Sequence, residues 1–91
     1  MIARTIQITL TAVATPIAAT YAPFNQMIVQ NNGSAARLGD ATVTATRGIA
    51  LAASGAANSI VSIGPFAGQQ GDASQFYAFG TSGQVIDILL V

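Results

Sequence analysis

The sequence predicts an all-β protein, a small antiparallel β-sandwich or barrel that is jelly-roll-like and has about six to eight short strands. Three observations support this fold class. Both terminal segments alternate between apolar and polar residues or are rich in β-branched residues. Turn-forming residues recur about every 8–12 residues. No uninterrupted helical pattern spans the chain, and 91 residues predict one domain, residues 1–91.

The N-terminal third contains the best-patterned strand. Ile2, Arg4, Ile6, Ile8 and Leu10 alternate with residues expected on the opposite face, which predicts a half-buried strand over residues 2–10. Prolines punctuate residues 12–25, so we expect a loop there with a short edge strand at 16–19. Residues 26–30 form a compact apolar run and predict the second strand.

The middle of the chain combines strong turn signals with short β-prone runs. Residues 31–34 (Asn-Asn-Gly-Ser) predict a turn, after which residues 35–38 could pair back as a strand. A second turn at Gly39-Asp40 precedes residues 41–46, which predict a strand. Residues 49–58 are rich in alanine but contain Ser54-Gly55, so we expect an extended segment with a turn there.

The C-terminal third predicts three strands, over residues 59–63, 75–79 and 84–91. Residues 66–74 carry glycines and glutamines and predict an exposed loop, and residues 81–83 predict a tight hairpin turn. Because the first and last strands have the clearest β patterns, we expect them to pair with each other. Met27 is expected in the core, and so are the aromatic residues Phe76, Tyr77 and Phe79, although these three could instead form a ligand platform.

The composition argues against catalysis and favours a structural role. The sequence has no His, Cys, Lys, Glu or Trp, and only 7% of its residues are charged, whereas about 25% is typical. It therefore lacks the usual general base, nucleophile and thiolate ligands, and we expect no enzymatic activity, no cofactor and no metal. Three arginines form no basic patch, which disfavours nucleic acid. No stretch reaches the roughly 18–20 uninterrupted apolar residues of a membrane span, so we expect no membrane partner.

An apolar chain with zero formal net charge is expected to be covered by partners, including copies of itself. The few charged residues, together with the apolar face of the first strand, are therefore candidates for contacts that align a partner with this chain. The candidate interface residues are Ile2, Arg4, Ile6, Arg37, Asp40, Arg47 and Asp87. The alternatives remain open: Arg4 could extend into solvent, Arg37, Asp40 and Arg47 could form only local ion pairs, and Asp87 could lie on a solvent-facing side of its strand.

Two segments carry a resemblance to a known family. They are residues 29–51, with Leu38-Gly39-Asp40 and Arg47-Gly48-Ile49, and residues 76–89, with Gly80-Thr81-Ser82-Gly83. In these segments the chain resembles small virion-associated proteins of tailed bacteriophages, of the capsid decoration (cement) type. The resemblance implies a protein on the capsid exterior, often a homotrimer, that locks neighbouring major capsid protein subunits together. Two alternatives remain: a phage tail, baseplate or fibre component, and a small carbohydrate-binding module.

Overall fold

The computed structural model describes residues 3–65 and 68–91, and their fold is almost entirely β-structure. The strands are β1 (Arg4–Thr9), β2 (Thr15–Pro16), β3 (Pro23–Phe24), β4 (Met27–Asn31), β5 (Ala36–Gly39), β6 (Ile49–Leu51), β7 (Ile60–Ile63), β8 (Gly71–Asp72), β9 (Tyr77–Phe79) and β10 (Val85–Leu90). One 3₁₀ turn, Ala73–Gln75, precedes β9. The predicted all-β class with antiparallel sheets is confirmed; three of the ten strands are only two residues long.

The larger strands form two four-stranded antiparallel sheets. Sheet A has the order β1-β10-β4-β7, and sheet B has the order β2-β9-β5-β6. A third, two-stranded sheet pairs β3 with β8. The predicted pairing of the first and last strands is confirmed, because β1 and β10 pair antiparallel from Arg4↔Leu90 to Thr9↔Val85.

One hydrophobic core lies between sheets A and B. Sheet A contributes Ile86, Ile88 and Leu90, which alternate along β10 with half-buried residues on its outer face. Sheet B contributes Leu38 and Leu51 to the same core. Further buried members are Leu10, Ile17, Ala18, Ala22, Phe24, Met27, Val29, Ala36, Ala73 and Ala78, so the prediction that Met27 is a core residue is confirmed.

A buried amide network ties together the segments that pass from one sheet to the other. The Nδ2 of Asn31 donates to the carbonyls of Ser34 at 2.8 Å and Ala52 at 2.9 Å, and its Oδ1 accepts from Nε2 of Gln84 at 2.7 Å. The Oε1 of Gln84 accepts from the N–H of Thr81 at 2.9 Å. Asn31 is fully buried, so these bonds offset the cost of removing its amide from water.

Two predictions from the sequence place turns correctly but are wrong about which strands those turns bring together. The turn at residues 31–34 is present, but β5 does not pair back with β4; it lies in sheet B, between β9 and β6. The turn at residues 81–83 likewise connects β9 of sheet B to β10 of sheet A and does not close a hairpin. Packing is close at both places, since a Cβ atom added at Gly33 would lie 2.6 Å from Cγ of Gln84 and one added at Gly80 would lie 2.8 Å from Cδ1 of Leu10.

Three segment predictions are corrected. Residues 41–46 form turns and bends rather than a strand, because the carboxylate of Asp40 accepts from the N–H of Thr42 at 2.9 Å and starts a local turn. The loop expected at 66–74 contains β8 and part of the 3₁₀ turn, with Ala73 fully buried; Phe66 and Ala67 lie outside the described residues. The edge strand expected at 16–19 is instead Thr15–Pro16.

Candidate partner interface

The candidate interface residues lie in three separate regions. Arg4 and Ile6 are in β1, at the edge of sheet A. Arg37 is in β5 of sheet B, and the loop that follows contains Asp40 and Arg47. Asp87 is in β10, and Ile2 lies outside the described residues.

The edge strand β1 has one face on the core and one in solvent. Ile6 and Ile8 are half-buried and pack against the core, whereas Thr5, Gln7 and Thr9 are exposed. Arg4 is exposed at the start of the strand, opposite Leu90. Ile6 is therefore partly a residue of the chain's own core, and the polar face and free edge of β1 are more accessible to a partner.

The loop of residues 40–48 is held on sheet B by polar and apolar contacts. Nη1 of Arg37 donates to the carbonyl of Gly48 at 2.9 Å. Val43 is buried, and a Cβ atom added at Gly48 would lie 2.8 Å from its Cγ2, so only glycine fits beneath it. Gly48 also has a φ of 127°, which favours glycine.

Asp40 is stabilised as a carboxylate inside this loop. Hydrogen bonds from the hydroxyl and N–H of Thr42 lower the pKa of Asp40 below its ordinary value, and the positive charge of Arg47 lowers it further. The structure therefore groups Arg37, Asp40 and Arg47 on one loop and strand, as their spacing in the sequence indicates. These contacts are local hydrogen bonds to Gly48 and Thr42 rather than ion pairs, and contact with a partner stays a prediction.

Asp87 lies on the outer face of sheet A with Val85 and Leu89, at the position that alternation along the strand predicts. Its Oδ1 accepts from Nε2 of Gln7 at 2.8 Å, and its Oδ2 accepts from Nδ2 of Asn32 at 2.6 Å. Asp87 thus links β1, β10 and the turn after β4. A shallow groove of about 200 Å³ beside it is lined by Thr5, Ile28, Gln30, Asp87, Ile88 and Leu89.

The sequence did not predict a larger cavity of about 460 Å³ at sheet B. Arg37 and Phe79 are direct neighbours across β5 and β9 and both line it, as does Ala50, the partner of Arg37 in β6. The remaining lining residues are Ala35, Ala36, Ala45, Leu51, Ala52, Asn58, Gly80 and Thr81. The alanines of this region are a signal in the sequence, because small side chains on paired strands leave space unfilled. The position of the cavity follows only once it is known which strands pair and in which register.

Large apolar side chains are exposed in four places. Tyr21 is 67% exposed, Ile49 60%, Val13 59% and Ile60 57%. Ile49 and Ile60 begin β6 and β7, the last strands of sheets B and A in the described part of the chain. The aromatic residues are divided: Phe76 packs edge to face on Phe24 with ring centroids 5.7 Å apart, whereas Tyr77 and Phe79 are half-buried in β9.

Within residues 3–65 and 68–91, no three His, Cys, Asp or Glu side chains cluster as ligands for a metal ion. The same residues include no helix of the length and apolarity needed to cross a membrane. Comparison of the chain with family models, curated proteins and solved structures finds no match in any of the three.

Proposed function

We propose that the chain is a structural virion protein of the capsid decoration type. In this proposal it binds the outer surface of a phage capsid as a homotrimer and stabilises contacts between major capsid protein subunits. The observation that carries the proposal is the unprotected edge of β1. The resemblance of residues 29–51 and 76–89 to virion proteins supplies the kind of assembly.

The two edge strands nearest the N-terminus differ in how their edges are protected. β2, at the edge of sheet B, contains Pro16, which cannot donate a backbone hydrogen bond to a further strand. β1 is six residues long, pairs only with β10 among the described strands, and contains no proline. Exposed edges are usually blocked by Lys, proline or bulges, because they can pair with another chain. An edge left open along β1 is suited to pairing with a partner.

The surface around this edge suits many weak contacts that act together. Thr5, Gln7 and Thr9 are exposed and uncharged, so pairing along them requires no charged side chain to lose its water. A trimer that touches several capsid subunits at once binds more tightly than any one contact, because linked contacts raise the effective concentration of the others.

The proposal is tested with a variant that charges the free edge. Lysines at two outward positions, Thr5→Lys with Thr9→Lys, should leave the protein folded, since both side chains are exposed. The variant should lose binding to undecorated expanded capsids from the same source in co-sedimentation, because edge lysines oppose strand addition. The control Ala57→Lys places a lysine in an exposed turn just before β7, the strand at the opposite edge of sheet A from β1, and should bind normally.

Sedimentation of the free protein provides a second readout. A wild-type protein that stays monomeric and does not bind these capsids would refute the proposal. A wild-type protein that binds, together with a doubly charged variant that binds equally well, would refute the role of β1.

A tail, baseplate or fibre component could use the same edge, and imaging of labelled protein on the head or the tail separates these virion roles. A carbohydrate-binding module has one observation in its favour, because Tyr77 and Phe79 lie on the same side of β9. Binding of an oligosaccharide panel with quenching of tyrosine fluorescence would support that alternative.

A further inference from the structure

The cavity at sheet B has the size and chemistry of a binding site. Its volume of about 460 Å³ lies within the range of roughly 300–1,000 Å³ that is usual for small-ligand sites. Its accessible apolar lining comes from Phe79 and four alanines, Asn58 and Thr81 add polar groups, and Leu51 and Ala36 border it from the buried core.

The residues that line this cavity carry a positive charge and no negative charge. Arg37 is the only charged residue among those that line it, and no carboxylate does so. Nη1 of Arg37 is bonded to the carbonyl of Gly48, and its other guanidinium N–H groups have no hydrogen-bond partner among the described residues. A guanidinium with free donors beside an apolar surface favours a carboxylate, which it binds through charge-assisted hydrogen bonds.

The free edge of β6 defines the shape of ligand that would fit. β6 pairs only with β5 in the described part of the chain; the N–H of Ala52, just after it, is bonded to the carbonyl of Asn58 at 3.1 Å, so a further strand would pair along Ile49–Leu51. Ala50 of β6 is the direct partner of Arg37, so the side chains of both lie on the cavity face of the sheet. A strand added beside β6 would place every second side chain on this same face, next to the cavity.

We propose that the cavity and the edge of β6 bind an extended peptide that carries a carboxylate and an apolar side chain two residues apart. The carboxylate binds Arg37, and the apolar side chain lies against Phe79 and the alanines. Residues two apart in a strand share a face, so one peptide reaches both positions. This site is separate from the edge of β1, and it does not depend on the assembly in which the protein works.

The test is an NMR titration of the full ¹⁵N-labelled chain with the peptide Thr-Glu-Thr-Leu-Thr, acetylated and amidated so that glutamate carries its only carboxylate. We expect shift changes at β6, Arg37, Phe79 and Thr81. The matched peptide with glutamine in place of glutamate should bind about tenfold more weakly, because it lacks the charge-assisted bond.

Variants of the protein separate the two halves of the site. Arg37→Gln should remove the difference between the peptides, and Arg37→Lys should restore part of it. Ala45→Leu should fill the cavity and weaken both peptides, whereas Ala41→Leu, the same change at an exposed residue of that loop outside the lining, should not.

Three results would overturn the proposal: no binding at millimolar peptide, shift changes confined to β1, or equal affinity for the two peptides. Binding of hexanoate in the cavity without binding of either peptide would also overturn it, since the site would then take a small acid rather than a strand.

Discussion

Sheets A and B contain the same number of strands but use their outer faces differently. Sheet A has long strands, up to six residues, and its outer face is crossed by the polar links from Asp87 to Gln7 and Asn32. Sheet B has strands of two to four residues, and it carries a loop at residues 40–48 and the large cavity. The long ladders of sheet A anchor the core, whereas the short strands of sheet B leave room for a loop and a ligand.

The largest expected effect tests whether sheet A anchors the core. Ile88 of β10 is 1% exposed, so Ile88→Ala should lower the free energy of unfolding by about 2–5 kcal/mol through lost burial and a cavity. Val43→Ala, in the loop on sheet B, should cost about 1–2 kcal/mol, because Val43 lies outside the main core cluster. Urea unfolding of both variants measures this, and equal losses would show that the loop is as integral as β10.

The buried amide network should have the next largest effect, and two adjacent asparagines offer a matched pair. Asn31→Ala leaves the carbonyls of Ser34 and Ala52 and the amide of Gln84 without this partner, which should cost about 2–3 kcal/mol. Asn32→Ala removes only an exposed bond to Asp87 and should cost no more than about 0.5 kcal/mol.

Urea unfolding again provides the measurement for this pair. If the two variants lose equal stability, the crossovers between the sheets do not depend on the buried amide of Asn31.

The smallest effect concerns pH. The pKa of Asp40 is lowered chiefly by hydrogen bonds from Thr42, and the pKa of Asp72 is lowered chiefly by the N–H of Ala22. A carboxyl whose pKa is lower in the folded state stabilises the fold above its unfolded value of 3.8, and this contribution is lost as the pH falls through the lowered value.

Urea unfolding from about pH 5 to about pH 2 should therefore show a falling midpoint. Asp72→Asn, at the link between β8 and the segment before β3, and Asp40→Asn, in the loop on sheet B, each remove a titrating carboxyl but keep an acceptor oxygen, and each should flatten that fall. A pH dependence that neither variant changes would assign it to another group.

The sequence contains the local patterns of this fold but not the connections between its sheets. Alternation along β1 and the apolar run of β10 predict two strands and their pairing, because a strand that buries one face shows a period of two. The turns at residues 31–34 and 81–83 are equally recognisable. Nothing local says whether the next strand pairs back or crosses to the other sheet, because that depends on contacts between residues far apart in sequence, such as the bond between Asn31 and Gln84.

The candidate sites could likewise be predicted only where they depend on residues close together in the sequence. The outward position of Asp87 follows from alternation, and the grouping of Arg37 with Asp40 follows from their short separation. The cavity could not be predicted, because it forms only where β5, β6 and β9 become neighbours. The strand predicted from the β-prone residues 41–46 is wrong, because the side chain of Asp40 bonds Thr42 and favours a local turn.

The pairing of β1 with β10 also has a consequence for how the chain folds. Gln7 and Asp87 are 80 residues apart in sequence, so pairing them closes a very long loop at an entropic cost. Such non-local pairing slows folding, and β10 is also the strand that joins β1 to β4. During synthesis, sheet A therefore stays incomplete until residues 85–90 have emerged, and until then β1 lacks its partner strand. A chaperone that shields β1 at this stage would act on the same strand that, in our proposal, pairs with the capsid.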